Sequence, residues 1–296
     1  MRTMWRPWLT CKDAKPIFEQ IREVVWLWRR YDRFPRDYFR MQAYRVGGKA
    51  YKQIIPRSTV RKARDWIRPT RERIEVSDKR LFRKIMEAAA LPVVREVLFI
   101  EDGVVMDSDD VRLTRNIARD RILAEPNGVF IKPIDGSLGR NTFVASNDTF
   151  LDEFSFQGGW LVQPRLNQHP DLNRLFPNSI NTLRVHSYVE NDTVLLDLAI
   201  LRMGSGQSIV DNASSGGLHA SVDLNTGRLL TLPTQKYDFD PTGKVYPVHP
   251  DTGTDMTNFT VPMIDQIRDW LRQLLCNFQG SSRWAGTLRL RPTGLF

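Results

Sequence analysis

A chain of 296 residues, 41% hydrophobic and 26% charged, can bury one large or two modest cores, which excludes wholesale disorder. No stretch approaches the roughly 18 uninterrupted apolar residues of a membrane-spanning helix, and the basic start Met1 to Trp8 lacks the apolar run and small-residue cleavage site of a leader, so a cytoplasmic protein is expected. The formal charge of +9 points to an anionic partner, whether nucleic acid, anionic lipid or a phosphorylated ligand, without choosing among them.

In chain order, Cys11 comes first; with Cys276 it makes the full cysteine set, without CxxC or Cys/His spacing, so neither a disulfide framework nor a zinc site is expected. From Pro16 to about Gly47 the pattern is helical, with Ile17, Ile21, Val24, Val25 and Trp28 at three- and four-residue spacings and Gly47-Gly48 as a stop. The expected arrangement is a helical pair whose Trp and Tyr pack onto the main domain while its Arg stay solvated; the alternative is a basic amphipathic surface for lipid or nucleic acid. Lys52 to Thr70, interrupted by Pro56 and Pro69, reads as a connector with one short helix. Ser77 is an N-cap candidate for a helix through Lys79, Phe82, Ile85 and Met86 to Leu91-Pro92.

Strands follow. Val94 to Ile100 and Val104 to Asp107 flank Glu101-Asp102-Gly103 as a hairpin, and a helix is predicted from Val111 to Ala124. Val129 to Lys132 and Thr142 to Ala145 bracket a glycine loop. Trp160 to Gln163, Thr182 to Val189 and Thr193 to Arg202 are further strands, Leu218 to Val222 and Arg228 to Leu232 a second hairpin, and Val261 to Leu275 an amphipathic helix. No repeat of 20 to 50 residues is visible, which removes solenoids and propellers.

The run Val129-Phe130-Ile131-Lys132-Pro133-Ile134-Asp135-Gly136-Ser137-Leu138-Gly139 carries the most chemistry. A lysine near the end of a buried strand is costly unless its ammonium meets an anion, and glycines let backbone N–H groups approach phosphate oxygens. It is neither a Walker loop nor a GxGxxG turn. An edge-strand lysine beside a hairpin turn is the plain alternative.

This segment resembles the small lobe of ATP-grasp enzymes, and the whole chain resembles their sugar-transfer-associated, glutamate-ligase-related branch. Ser77-Asp78-Lys79 through Leu91-Pro92 is similar to the Asp-Lys helix of D-alanine ligases, which implies an ATP phosphate contact for Arg83. Leu161-Val162-Gln163-Pro164-Arg165-Leu166 resembles the hinge strand whose backbone reads adenine, with Gln163 beside the exocyclic amine. Ile180-Asn181-Thr182-Leu183-Arg184-Val185 matches the family's Asn-Thr-x-Arg strand. An arginine there needs an anion: the resemblance implies the γ-phosphate or an acyl phosphate for Arg184, with an ion pair to Asp197 or a similar carboxylate as the alternative. Arg202 and Asn212, the latter ahead of Gly216-Gly217, are implied to face the transferred phosphoryl group and the acceptor. His249-Pro250-Asp251-Thr252-Gly253 also matches and is expected on the acceptor side.

The resemblance therefore implies an α+β fold with two lobes clamping ATP. The division is an N-terminal helical region and connector over 1–77, a small lobe over 78–162, a large lobe over 163–280 and an aberrant tail over 281–296. The nucleotide set is Arg83, Lys132, Asp135, Gly136, Ser137, Gly139, Gln163, Arg165 and Leu166; the catalytic set is Arg184, Arg202 and Asn212. The implied reaction activates a carboxylate with ATP for attack by an amine, in cell-surface polysaccharide or peptide tailoring, without a nucleic-acid partner. Magnesium is expected for the family, but its late Asp and Glu-x-Asn ligands are missing here. Synonymous codons for Arg283 to Phe296 can be chosen so that another frame reads VGWDVALTPNGPV, the missing strand. A frameshift near Ser281 or Ser282 that leaves the chain inactive is thus an expectation, and a divergent or shortened tail the alternative. A nucleotide-binding or membrane-surface accessory protein without ligase activity is the second reading.

Overall fold

The computed structural model describes residues 8–9, 11–45, 47–67, 79–88, 92–134, 139, 141–153, 156–190, 193–236, 244–277, 284–291 and 294–295. The chain divides into two compact units, Met1–Glu72 with Gln235–Lys244 and Arg73–Thr234 with Val245–Phe296. The predicted Ser77 cap lies outside the described residues.

In the first unit, α1 (Ile17–Tyr31), α2 (Arg36–Arg40) and α3 (Arg57–Ile67) are helices. The helical pattern breaks after α1 because Asp32 turns left-handed at φ 47°, which a short polar side chain tolerates, and Pro35 then restrains the residue before it. Leu27, Tyr38, Phe39, Tyr44, Tyr51 and Ile54 form this unit's own core. Beneath α1, Glu23 is buried and accepts hydrogen bonds from Lys15 (2.5 Å) and the Tyr38 hydroxyl (2.8 Å), so its charge is compensated.

The second unit is α+β, with two antiparallel sheets. The five-stranded sheet comprises β1 (Leu98–Glu101), β2 (Val104–Met106), β3 (Val129–Pro133), β4 (Phe143–Ala145) and β5 (Gly159–Pro164), ordered β2-β1-β5-β3-β4. Asp102 and Gly103 both have positive φ, 47° and 82°, the twist a two-residue hairpin turn needs. Preceding the sheet is α4 (Lys79–Ala88), and Ala118 and Ile122 of α5 (Arg115–Leu123) and Phe150 of α6 (Phe150–Glu153) join its core. That helix starts four residues later than predicted because Arg112 bridges Met106 and the Thr114 hydroxyl caps Ile117 N–H. Gly128 sits where a Cβ would lie 2.5 Å from the Ala145 carbonyl oxygen, so β3 starts at glycine by steric necessity.

The six-stranded sheet comprises β6 (Thr182–Glu190), β7 (Thr193–Met203), β8 (Leu218–Val222), β9 (Thr234–Gln235), β10 (Trp284–Arg291) and β11 (Gly294–Leu295), ordered β11-β10-β6-β7-β8-β9. Alternation puts Leu183, Val185, Ala199, Leu201, Met203, Leu218 and Ala220 on one face, packed with Ile267 and Leu271 of α8 (Ile264–Asn277). The predicted strand Arg228–Leu232 reduces to bridges Val222↔Leu229 and Arg228↔Thr260. Gly227 explains this: it turns left-handed and comes so close to Val261 that a Cβ would meet its carbonyl at 2.9 Å, which draws the segment onto residues 260–261. In the tail, the backbone of β10 pairs with β6, Thr287 opposite Arg184 and Arg289 opposite Thr182.

Candidate functional site

Strand alternation aims the other face of β6 and β7 at a cavity of about 1080 Å³ between the two sheets. Phe130 and Lys132, two apart on β3, line it from one side; Thr182, Arg184 and Arg202 line it from the other. The floor is the connector 164–168, which leads from β5 into α7 (Pro170–Leu175), and the loop Ile209–Asn212 closes a further wall.

Thr182 and Arg202 are direct cross-strand partners. The Arg202 guanidinium donates to the Thr182 hydroxyl through Nε (3.0 Å) and one terminal nitrogen (2.8 Å) and to one oxygen of Asp211 (3.2 Å), whose other oxygen lies 3.1 Å away in the ion pair. Thr182 in turn donates to Asp211. Thus an arginine is held rigid by a buried carboxylate, its fork fixed by two acceptors. Burial, then the like charge of Arg202, lower the pKa of the Arg184 guanidinium, while Asp211 opposes them. Both an anion's charge and its hydrogen bonds would offset that burial and the repulsion from Arg202. Asp211, rather than the exposed Asp197, is the carboxylate whose field reaches Arg184.

On the opposite wall Lys132 precedes the strand's final Pro133. Lys79 of α4 donates to the carbonyls of Pro133 (2.8 Å) and Ile134, so α4 fastens the strand end from which the glycine loop departs. Asp135, Gly136, Ser137 and Arg140 lie outside the described residues. Gly139 is described: its φ is 71°, and a Cβ there would come within 2.9 Å of the Val210 side chain. Gly139 therefore sits close against the opposite wall in a left-handed conformation that favours glycine.

The connector residues Gln163, Arg165 and Leu166 lie along the same cavity. Gln163 is buried and donates to the Val94 carbonyl (3.3 Å), and Arg165 N–H bonds the Gly128 carbonyl (2.9 Å); both residues, with Leu166, line the cavity. Asn212 also lines it, its carbonyl accepting from Ser215 and Gly217 N–H. The following glycines are required: Gly216 has φ 88°, and a Cβ on Gly217 would lie 2.6 Å from the Asp211 carbonyl.

Arg83 is placed differently. It bonds Glu87 and the buried Glu96, each at 2.8 Å, and is not among the residues that line the cavity. Burial raises the Glu96 pKa, against Arg83 and Arg80, which lower it. The His249 motif is likewise outside the lining. His249 is buried, its Nε2 bonds the Gly204 carbonyl (3.1 Å), its Nδ1 accepts from Asp251 N–H (3.3 Å), and its ring stacks on Phe176. Thr252 and Thr254 donate to the Leu175 and Arg174 carbonyls at the end of α7. The motif is a clasp on that helix.

Sequence reasoning passed over Lys79, Thr182 and Asp211. Thr182 had a readable signal, since it sits two residues before Arg184 on the same strand face. Asp211 had none, because loop geometry alone brings it to Arg202. Asn181, fully buried, bonds Gln168 and the Leu172 and Phe176 carbonyls and accepts from Gly204 N–H; it ties α7 to β6.

Three cations from two facing sheets, Lys132, Arg184 and Arg202, with apolar Phe130, Val144, Leu166 and Ile209 between them, fit a nucleotide carrying phosphates. A divalent metal ion is not matched in the same way. The lining carboxylates are Glu125, paired with Arg95, and Asp211, committed to Arg202 and Thr182. Among the described residues no group of three His, Cys, Asp or Glu could hold a metal ion.

A comparison with curated proteins found no match. Twelve chains of solved structures match, among them D-alanyl-alanine synthetase A from Vibrio cholerae O1 biovar eltor, at 10% identity and a TM-score of 0.44. That alignment covers 75% of this chain and 54% of the synthetase, so the chain spans about half the length of its neighbour. Residues 157–280 match the family model of the sugar-transfer associated ATP-grasp proteins, the stretch that contains the connector, Thr182, Arg184, Arg202 and Asp211. Over residues 157–280 the chain is therefore similar to the sugar-transfer associated ATP-grasp proteins.

Proposed function

We propose that the cavity binds ATP and that the protein belongs to the carboxylate-amine ligases, acting in the cytoplasm in polysaccharide or peptide tailoring. The observation that carries this reading is the convergence of Lys132 from one sheet with Arg184 and Arg202 from the other on a single cavity. Bound there, ATP supplies a phosphoryl group that turns a carboxylate into a species open to attack by an amine. Lys132 and Arg184 hold the phosphate oxygens, with Arg83 and the loop Asp135 to Gly139 as further members of the proposed nucleotide set. Arg202, fixed by Asp211 and Thr182, keeps its guanidinium in place without rearrangement, as charge stabilisation by preorganised donors requires. Asn212 faces the acceptor, and the backbone of Arg165 and Leu166 meets the base.

The test is a thermal-shift titration with ATP, with and without magnesium, on wild type, Lys132→Ala and Arg184→Ala. Stabilisation of the wild type alone is expected; an equal shift in all three places the nucleotide elsewhere. A second reading, nucleotide binding without turnover, is favoured by the engagement of both lining carboxylates with arginine. An ADP-release assay separates the two readings. Sequencing the gene past the codon for Gln279 decides whether an overlapping frame restores the family's acidic strand.

A further inference from the structure

We infer that the first unit carries a docking face for an anionic lipid surface, built on α1. The helix is turned inside out relative to its pattern. Leu27, Glu23 and Gln20 are its buried residues, whereas Ile17, Phe18 (67% exposed), Ile21, Val25 and Trp28 (52% exposed) are open to solvent. At about 100° per residue, these five share one arc of the helix, away from the buried side. Phe34 extends the arc beyond the helix end, its ring 6.4 Å from that of Trp28 and itself exposed. Phe34 stacks on Phe39 of the unit's core and Val25 is 36% exposed, so Ile17, Phe18, Ile21 and Trp28 are the most open part of the stripe.

Charge chooses the occupant. Residues 8–67 hold 15 Lys and Arg against 6 Asp and Glu, so the whole +9 excess of the chain lies in this stretch and the remainder balances at 28 of each sign. On α1 the exposed Arg22 and Arg29 border the stripe next to Phe18 and Val25, and Arg30 stacks over Trp26. Arg33, just past the helix, and Arg57, Arg61 and Lys62 of α3 are also exposed. An apolar stripe rimmed by arginine, with an aromatic ring at its margin, matches the acyl boundary and negative headgroups of a bilayer surface. A nucleic acid would use the arginines but leave the isoleucine, valine and phenylalanine side chains in water. A second copy of the chain would bring arginine against arginine. No described helix is long and apolar enough to cross a membrane, so the contact is one of lying on the surface.

The experiment is sedimentation of the full chain with vesicles of phosphatidylcholine alone and of phosphatidylcholine mixed with phosphatidylglycerol. Binding to the anionic vesicles only is expected. Ile21→Glu with Trp28→Glu should abolish it, and Arg22→Glu with Arg29→Glu should weaken it by roughly tenfold or more, since each basic residue near such a surface contributes about fivefold. Arg22→Lys with Arg29→Lys should retain it. All variants replace exposed residues, so an unchanged melting temperature verifies folding. The inference fails if anionic vesicles do not bind the wild type, or if the glutamate pair at Ile21 and Trp28 leaves binding intact, which is the signature of charge attraction alone. It also fails if light scattering shows a dimer that Trp28→Glu dissociates, because the stripe is then a contact between copies. None of these results depends on the nucleotide reading.

Discussion

The cavity face of β6 and β7 and the outer face of α1 arrange the same kinds of residue in opposite ways. On β6 and β7 the apolar partners Leu183, Val185 and Leu201 go into the core, and the arginines point at an enclosed space in which Asp211 already anchors one of them. On α1 a paired carboxylate, Glu23, goes inward and the apolar stripe stays in water. The difference teaches that the burial of a charge follows the partners available, and that amphipathicity states only that two faces exist. A buried cation needs fixed acceptors, whereas an exposed one is free to meet a large, mobile anionic surface.

The largest expected effect is on the strand side. Asn181→Ala removes its bonds to the Leu172 and Phe176 carbonyls and to Gln168 and strands the Gly204 N–H in a fully buried position, so a loss of about 3–4 kcal/mol of stability is expected in denaturant titration. Arg83→Ala comes next: it leaves Glu96 buried beside Arg80 alone, at about 3 kcal/mol. The nucleotide affinity of this variant separates the two roles of Arg83, because an unchanged ATP shift assigns it to the Glu96 pair and a lost shift restores the phosphate contact.

Lys132→Ala should weaken ATP binding by about 1.5–3 kcal/mol, the range of a hydrogen bond to a charged group, with little change in stability, readable by isothermal titration. Were stability to fall instead, the lysine would belong to the fold and the contrast with α1 would weaken.

The smallest effect is a pH dependence. Burial lowers the pKa of both His219 and His249 below the ordinary 6.5. The unfolded chain therefore binds protons first as pH falls, so stability is fully present above about 6.5 and declines below it toward the lowered native values. His249→Gln should flatten part of that decline in thermal melts between pH 7 and 5, relative to its own baseline.

Much of the second unit is legible in the sequence. The alternating runs at 182–189 and 193–202 correspond to β6 and β7, and the position of Arg184 two residues from Thr182 puts both on one face whatever packs there. Lys132 at the end of an apolar strand and Gly216-Gly217 at a forced turn were readable for the same local reason. Arg83 was not, since its partner Glu96 lies across a change from helix to strand that no spacing encodes. Nor was the Asp211 clamp on Arg202, which depends on where a loop returns.

On its own, then, the sequence determines the period of each element, the turns that only glycine or aspartate can make, and the motif order that marks the family segment. The tertiary structure alone decides which face of an element is inside. For β6 that decision agrees with the pattern, because the face opposite the arginines finds α8. For α1 it reverses the pattern, because Leu27 and the Glu23 pair with Lys15 and Tyr38 are taken into the unit's interior while most of the longer apolar stripe stays exposed. Local periodicity is a property of the chain, but burial is a property of what that chain meets.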